Sequence, residues 1–224
     1  MNNMKIILKK ELRSYFNSPM AYIFLVVFAI TNGYFFTNTF FLINQSDMRA
    51  LFNIVPLIYL FFIPAITMSL IAKEKNSGTM EVISTLPIKD IEFIMGKFFA
   101  SVILIIIGLC ITSIHLFTLM NVGANIDYGS VFSGYLGIIF LGSVYASIGT
   151  FSSSLTENQV VSFIISIFIV LTFFMLDKVI YFMPYSIQGV IQFLSVDFHL
   201  SNMSRGVIDT RNIIYFLSLI SFFL

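Results

Sequence analysis

Catalysis, metal binding and redox work need sets of reactive side chains, and this 224-residue sequence offers few. It holds two histidines, His115 and His199, and one cysteine, Cys110. The histidines fall on different segments, so neither a metal cluster nor a nucleophile–base pair is spelled out. A lone cysteine excludes an internal disulfide. Cys110 stands one helical turn from Ile106 and Ile114 and is expected to be a small buried apolar residue. No Gly-x-x-x-x-Gly-Lys-[Ser/Thr] run occurs. Gly96-Lys97 is followed by Phe98 and lacks the earlier glycine, so the chain has no phosphate cradle of that type. No catalytic, cofactor-binding or metal-ligating residue is assigned.

Charged residues do form a pattern in three places. On a helix over 1–18, Met4, Leu8, Leu12, Tyr15 and Phe16 share one face, while Lys9, Lys10 and Arg13 share the other. Pro19 ends it. A basic amphipathic helix of this kind lies along a membrane interface. It reads as a plain anchor or as a gating elbow packed on a partner subunit. In the second place, residues 72–97, Asn76-Ser77-Gly78 signals a turn and Ser77 or Thr79 is placed to cap the helix after it. Met80, Ile83 and Leu86 then make one apolar stripe, Pro87 stops it, and a second short helix starts near Asp90 and Glu92. Tied at both ends to apolar runs, this crossbar can carry force between a soluble partner and two membrane helices; the plainer reading is a solvated loop. In the third place, Arg205 and Asp209 are at the i,i+4 spacing of a helical ion pair, with Arg211 beside them. They read as an interfacial anchor, or as an outer gate or docking surface for a periplasmic partner.

The elements that position these groups follow from composition. Apolar residues make up 58%, charged residues 10%, and mean hydropathy is +0.96. A soluble domain carries about 25% charged residues, so the lipid bilayer is the solvent for most of this chain. A net charge of +1 gives no reason to expect nucleic acid. A spanning helix takes ~20 apolar residues. Uncharged windows place spans at about 20–43, 52–72, 98–120, 131–154, 159–180 and 212–224, or five spans if the last does not cross. That last window reaches only ~20 Å as a helix, so the chain is expected to continue beyond Leu224. The first is too long, and lacks the small-residue site, for a cleaved signal peptide. Pro184, Gln188, Gly189 and Gln192 make 183–211 too polar for a lipid-facing span, and short re-entrant helices on the outer side fit better. With loops assigned to alternate sides, eight Lys and Arg fall on the side of the N-terminus and four on the other, so the N-terminus is expected in the cytoplasm. The uncharged stretches of these windows, the fifth ending at Leu176 ahead of Asp177 and Lys178, hold no Asp, Glu, Lys or Arg, which speaks against an ion-coupled carrier or a charged filter. Such an interior suits a hydrophobic, lipid-like or polypeptide passenger. Gly134, Gly137, Gly142, Ser143 and Ala146 allow close helix packing, within the chain or, as the second reading, at a dimer seam. The fold class is all-α, a polytopic membrane protein.

Lys10-Glu11-Leu12-Arg13-Ser14-Tyr15-Phe16-Asn17-Ser18-Pro19, Glu74-Lys75-Asn76-Ser77-Gly78-Thr79-Met80-Glu81, Leu86-Pro87 and Gly96-Lys97-Phe98 together resemble the ABC-2 type permeases of bacterial ABC transporters. The resemblance runs in order through nearly the whole chain. The tail Ser204-Arg205-Gly206-Val207-Ile208-Asp209-Thr210-Arg211 resembles one branch, the permease subunits of gliding-motility-associated ABC transporters. The resemblance implies two permease chains, the same or different, in a bacterial inner membrane. Each would rest on a cytoplasmic P-loop ATPase that binds ATP and Mg, while this chain binds no cofactor. It further implies that residues 79–86 form a coupling helix in a groove of that ATPase, with Glu74, Gly78, Thr79, Met80, Glu81, Ile83 and Leu86 as the contact. Met80 stands where the family commonly has leucine. Residues 1–19 would be the connecting helix. The competing expectation is a non-transporting membrane scaffold of a gliding or secretion complex.

Overall fold

The computed structural model describes residues 2–42, 48–122 and 126–224; Ile43, the end of the first expected span, lies outside them. Among the described residues every regular element is helical. The amphipathic stretch forms α1 (Asn2–Asn17). Pro19 then opens α2 (Pro19–Thr37), where its missing N–H is no loss, and a π-helical turn, Asn38–Leu42, continues it. After α3 (Arg49–Thr67) come the short α4 (Ala72–Asn76) and α5 (Thr79–Ser84). The long helices α6 (Asp90–Val122), α7 (Tyr128–Leu155) and α8 (Gln159–Val179) follow, with a 3-10 turn, Ile180–Phe182, closing α8. Three shorter helices end the chain: α9 (Tyr185–Leu194), α10 (Val196–Ser204) and α11 (Thr210–Phe223).

Five stretches are long and apolar enough to cross a membrane: Pro19–Phe41, Leu51–Asn76, Asp90–Val122, Tyr128–Leu155 and Gln159–Phe182. The sixth apolar helix, α11, has 14 residues. The separate short helix expected at Asp90 does not exist; it is the first part of the 33-residue α6. Gly96, which could have broken it, serves instead as a seat for α1. A Cβ there would lie 2.9 Å from Ile7 Cγ2 and 3.1 Å from the Met4 carbonyl.

At the centre stands α7, the most buried of the long helices. It runs parallel to α3 with glycines at the points of closest approach. Gly134 faces Phe52, Gly142 faces Tyr59, and Gly149 faces Thr67. Advancing in step on both helices, these contacts define a seam of the parallel pair. Gly137 instead receives Leu200 and Met203 of α10. The small residues therefore serve packing within the chain. Several buried serines and threonines of α7 return hydroxyl bonds to their own helix, as Ser143 does to Ile139 O and Thr150 to Ala146 O. Aromatic contacts fill the core between helices, including Phe28 on Tyr59 and Phe140 on Phe216.

At the end of the molecule away from α1, α9 and α10 make a helical hairpin. Its α10 arm lies on α7, where Ser133 Oγ donates to Met203 O and Ser130 Oγ to Ser204 O, both at 2.6 Å. The hairpin's bend is tied to α11, since Tyr215 Oη donates to Leu194 O. Next to it, Phe216 stacks on Phe140, near the middle of α7. Cys110 is exposed rather than buried, and Ile114, one turn on, is exposed as well.

Candidate functional site

Three segments far apart in sequence converge at the α1 end of the bundle. Seated on Gly96, α1 buries Ile7 and Tyr15 most deeply, and Glu11 sits between them at i,i+4 spacing. The packed stripe is therefore Ile7–Glu11–Tyr15, displaced from the purely apolar face drawn from the sequence. Tyr15 fixes the rotation by donating its hydroxyl to Ile66 O of α3 at 3.2 Å.

Glu11 meets Lys97 of α6. The Lys97 side chain is 1% exposed, and its Nζ lies 2.9 Å from Glu11 Oε1, 2.9 Å from Glu74 Oε2 and 2.5 Å from Leu70 O. The Phe93 ring centroid lies 4.9 Å from the same nitrogen. An ammonium has three N–H donors, and three oxygens surround this one. Glu74 Oε2 meets Lys97 Nζ at ion-pair distance but outside hydrogen-bonding geometry. Glu74 Oε1 instead accepts from Lys10 Nζ at 2.9 Å, and Lys10 lies 3.8 Å from Glu11. Two ammonium and two carboxylate groups from α1, α4 and α6 thus close a neutral cluster. Taking an ion out of water costs several kcal/mol, so this arrangement persists only because each charge has a counter-charge. Burial by itself would lower the Lys10 pKa, but the hydrogen bond and charge of Glu74, with the charge of Glu11, raise it above the ordinary 10.5. Its stabilising share is full below 10.5 and is lost only as pH climbs through that raised value.

The crossbar is fastened to α7 too. Ser153 Oγ accepts from the backbone N–H of Ile71 and Ala72, at 3.0 and 2.9 Å, and donates to Met68 O. The Lys75 ammonium donates to Ser154 O. Gly78 then takes φ +68°, the left-handed turn that glycine adopts without strain. The expected capping is reversed. Gly78 is the N-cap of α5 without a side-chain bond, while the Ser77 and Thr79 hydroxyls both donate to Glu74 O and finish α4.

Among the expected contact residues, Gly78, Thr79, Glu81 and Leu86 are exposed, and Met80 and Ile83 are half-buried against the core. Val82 adds an exposed apolar side chain between them. Glu74 differs: it faces inward, 9% exposed, because Lys10 and Lys97 draw it there. Lys9 and Arg13 stay exposed on α1, while Lys10 reaches into the cluster. A cavity of about 720 Å³ opens beside these groups, lined in part by Lys10, Ser14, Lys73, Glu74 and Thr79. Glu11 and Lys97 were not assigned a site role from sequence. A carboxylate at i+4 from one buried position and i−4 from another was the signal for Glu11.

At the other end, the helical Arg205–Asp209 pair does not form. The helix stops at Ser204, Arg205 is its C-cap, and Gly206 turns at φ +91°. Asp209 caps α11 by accepting from the Arg211 backbone N–H at 2.9 Å. Lys178 is held by Asp197 at 3.1 Å and Asp177 at 3.2 Å. His199, on α10, is buried. Its ring stacks on Tyr215 at 3.9 Å, and its nitrogens meet Phe193 O and the Asn212 amide, at 2.9 and 2.7 Å. Asn212 Nδ2 lacks a partner as placed. With the amide turned over, Nδ2 donates to the ring nitrogen and no buried donor is orphaned. Both ring nitrogens are therefore engaged in structure.

Curated proteins give no match to this chain. A family model described as "ABC-2 family transporter protein" matches residues 5–223, which takes in α1, the crossbar, the charge cluster and the α9–α10 hairpin. The chain belongs to the ABC-2 transporter family, as a multi-pass membrane permease.

Proposed function

We propose that this chain is the permease half of an ATP-driven exporter and receives its driving motion through α5. The observation that carries the reading is the mounting of α4–α5. The crossbar is fastened to three spanning helices and to α1, yet it turns an exposed mixed face outward, with Thr79, Glu81, Val82 and Leu86. A surface that is solvent-facing but rigidly backed suits a groove in a soluble partner. The family supplies the chemistry of that partner, an ATPase subunit that holds ATP and Mg. On this reading the α1 end is cytoplasmic, the membrane is a bacterial inner membrane, and a second permease chain, the same or different, completes the channel. The tail Ser204–Arg211 supports a branch that serves gliding motility, with Arg205 and Arg211 exposed at the far end.

Gentle purification of the full chain should recover a P-loop ATPase, and vesicles holding both should move substrate only with ATP. The double variant Gly78→Pro/Glu81→Lys should insert normally and lose permease-dependent stimulation of ATP turnover. Proline holds φ near −65° and cannot make the left-handed turn, and the new lysine reverses charge on the exposed face. Undiminished stimulation in that variant would overturn the assignment.

A further inference from the structure

We propose that Lys97 is a positioning residue that holds two movable elements by two separate carboxylates: α1 through Glu11 and the α4–α5 crossbar through Glu74. The geometry separates the roles. Glu11 Oε1 and Glu74 Oε2 each lie 2.9 Å from Lys97 Nζ, from opposite elements, and the two carboxylates share no direct bond. Lys97 itself belongs to α6 and also donates to Leu70 O, in the turn between α3 and α4. The other fastenings are unequal. Besides this contact, α1 has the Gly96–Ile7 seat and the Tyr15–Ile66 bond, which fix its rotation. By contrast, α5 buries no residue, so the angle at which it presents its exposed face depends on α4, which is tied to α7 through Ser153 and Lys75 and to Lys97 of α6 through Glu74. Lys10 bridges the two arms, because its ammonium meets Glu74 at 2.9 Å and Glu11 at 3.8 Å. A push on the crossbar is therefore passed to α6 through one carboxylate and to α1 through Lys10. This deepens the proposed function, and it rests on that reading only for what does the pushing.

The arms can be released singly. Glu74→Gln leaves the Lys97–Glu11 pair intact, and Glu11→Gln leaves the Lys97–Glu74 pair. In a Cys110→Ser background, spin labels on the exposed pairs Val82/Ile91 and Ile6/Ile91 report the crossbar and α1 against α6. Glu74→Gln should broaden the 82–91 distance distribution and leave 6–91 unchanged; Glu11→Gln should do the reverse. Loss of packing alone would move both pairs together in either variant, and that result, or no change in either pair, overturns the proposal. If Glu74→Gln does not accumulate, Glu74→Asp replaces it, keeping the charge while shortening the reach by one methylene. With the co-purified ATPase present, Glu74→Gln should lower permease-dependent stimulation several-fold. Selective distance changes without that loss would preserve the positioning role and overturn the coupling reading instead.

Discussion

At the scale of the residue, Lys97 is where the sequence and the structure differ most in meaning. In sequence it adds one positive charge to the loop side of a span; in the structure it is the core of a four-charge cluster. Lys97→Met removes the counter-charge of two carboxylates that stay largely buried. Breaking a buried pair from one side costs about 3–5 kcal/mol, so this variant should melt well below the parent in a detergent thermal-shift measurement. The triple variant Lys97→Met/Glu11→Gln/Glu74→Gln should recover most of that loss, because it leaves no uncompensated buried charge. Equal melting of Lys97→Met and the parent would show that the cluster carries no net weight. The residue types here were legible from the resemblance, since Lys10-Glu11, Glu74 and Gly96-Lys97 all belong to it. Their meeting was not, because no local spacing links positions 11, 74 and 97.

At the scale of the element, the long helices were legible and the short ones only in part. Hydropathy located α2, α3, α6, α7 and α8, because twenty uncharged residues leave a chain little choice in lipid. It misplaced the start of α6, because the charged first turns of that helix look like loop until α1 is laid against them. It also left the role of the small residues open, which the contacts of α7 resolve. Gly134 is the sharpest case, since a Cβ there would lie 2.1 Å from Phe52 Cε2. Gly134→Ala should therefore cost about 1–3 kcal/mol by overpacking, read as a lowered thermal midpoint. Phe52→Leu in that background should restore part of it. Gly78→Ala offers the contrast: no atom lies within 4 Å of its Cβ, so only the left-handed backbone resists it, at ~1–2 kcal/mol.

At the scale of the whole molecule, the structure puts α1 and the crossbar at one end and the α9–α10 hairpin at the other. That agrees with the expected alternation of loops, and it can be checked without any partner. In a Cys110→Ser background, Lys5→Cys and Val82→Cys should react with a membrane-impermeant thiol reagent only after the cytoplasmic side is opened. Tyr185→Cys should react from the outside. Labelling of position 82 from outside would invert the molecule and remove α5 from reach of any ATPase. The two broken-up regions were the least legible at this scale. Both the crossbar and the 183–211 segment were recognised by what interrupts a span, proline, glycine and polar side chains, and composition says where a helix stops but not where the next one leans. The i,i+4 spacing of Arg205 and Asp209 misled for the same reason, because Gly206 turns the chain between them.

The cluster has a consequence for how the protein is made. Lys97 follows both of its carboxylate partners in the chain, Glu11 by 86 residues and Glu74 by 23. When α6 leaves the ribosome, the segments that form α1 with Glu11 and α4 with Glu74 have already been synthesised. A cation that would be costly to lodge alone at the head of a membrane helix thus arrives last, into a waiting pair of anions, and can be neutralised as the translocon releases it.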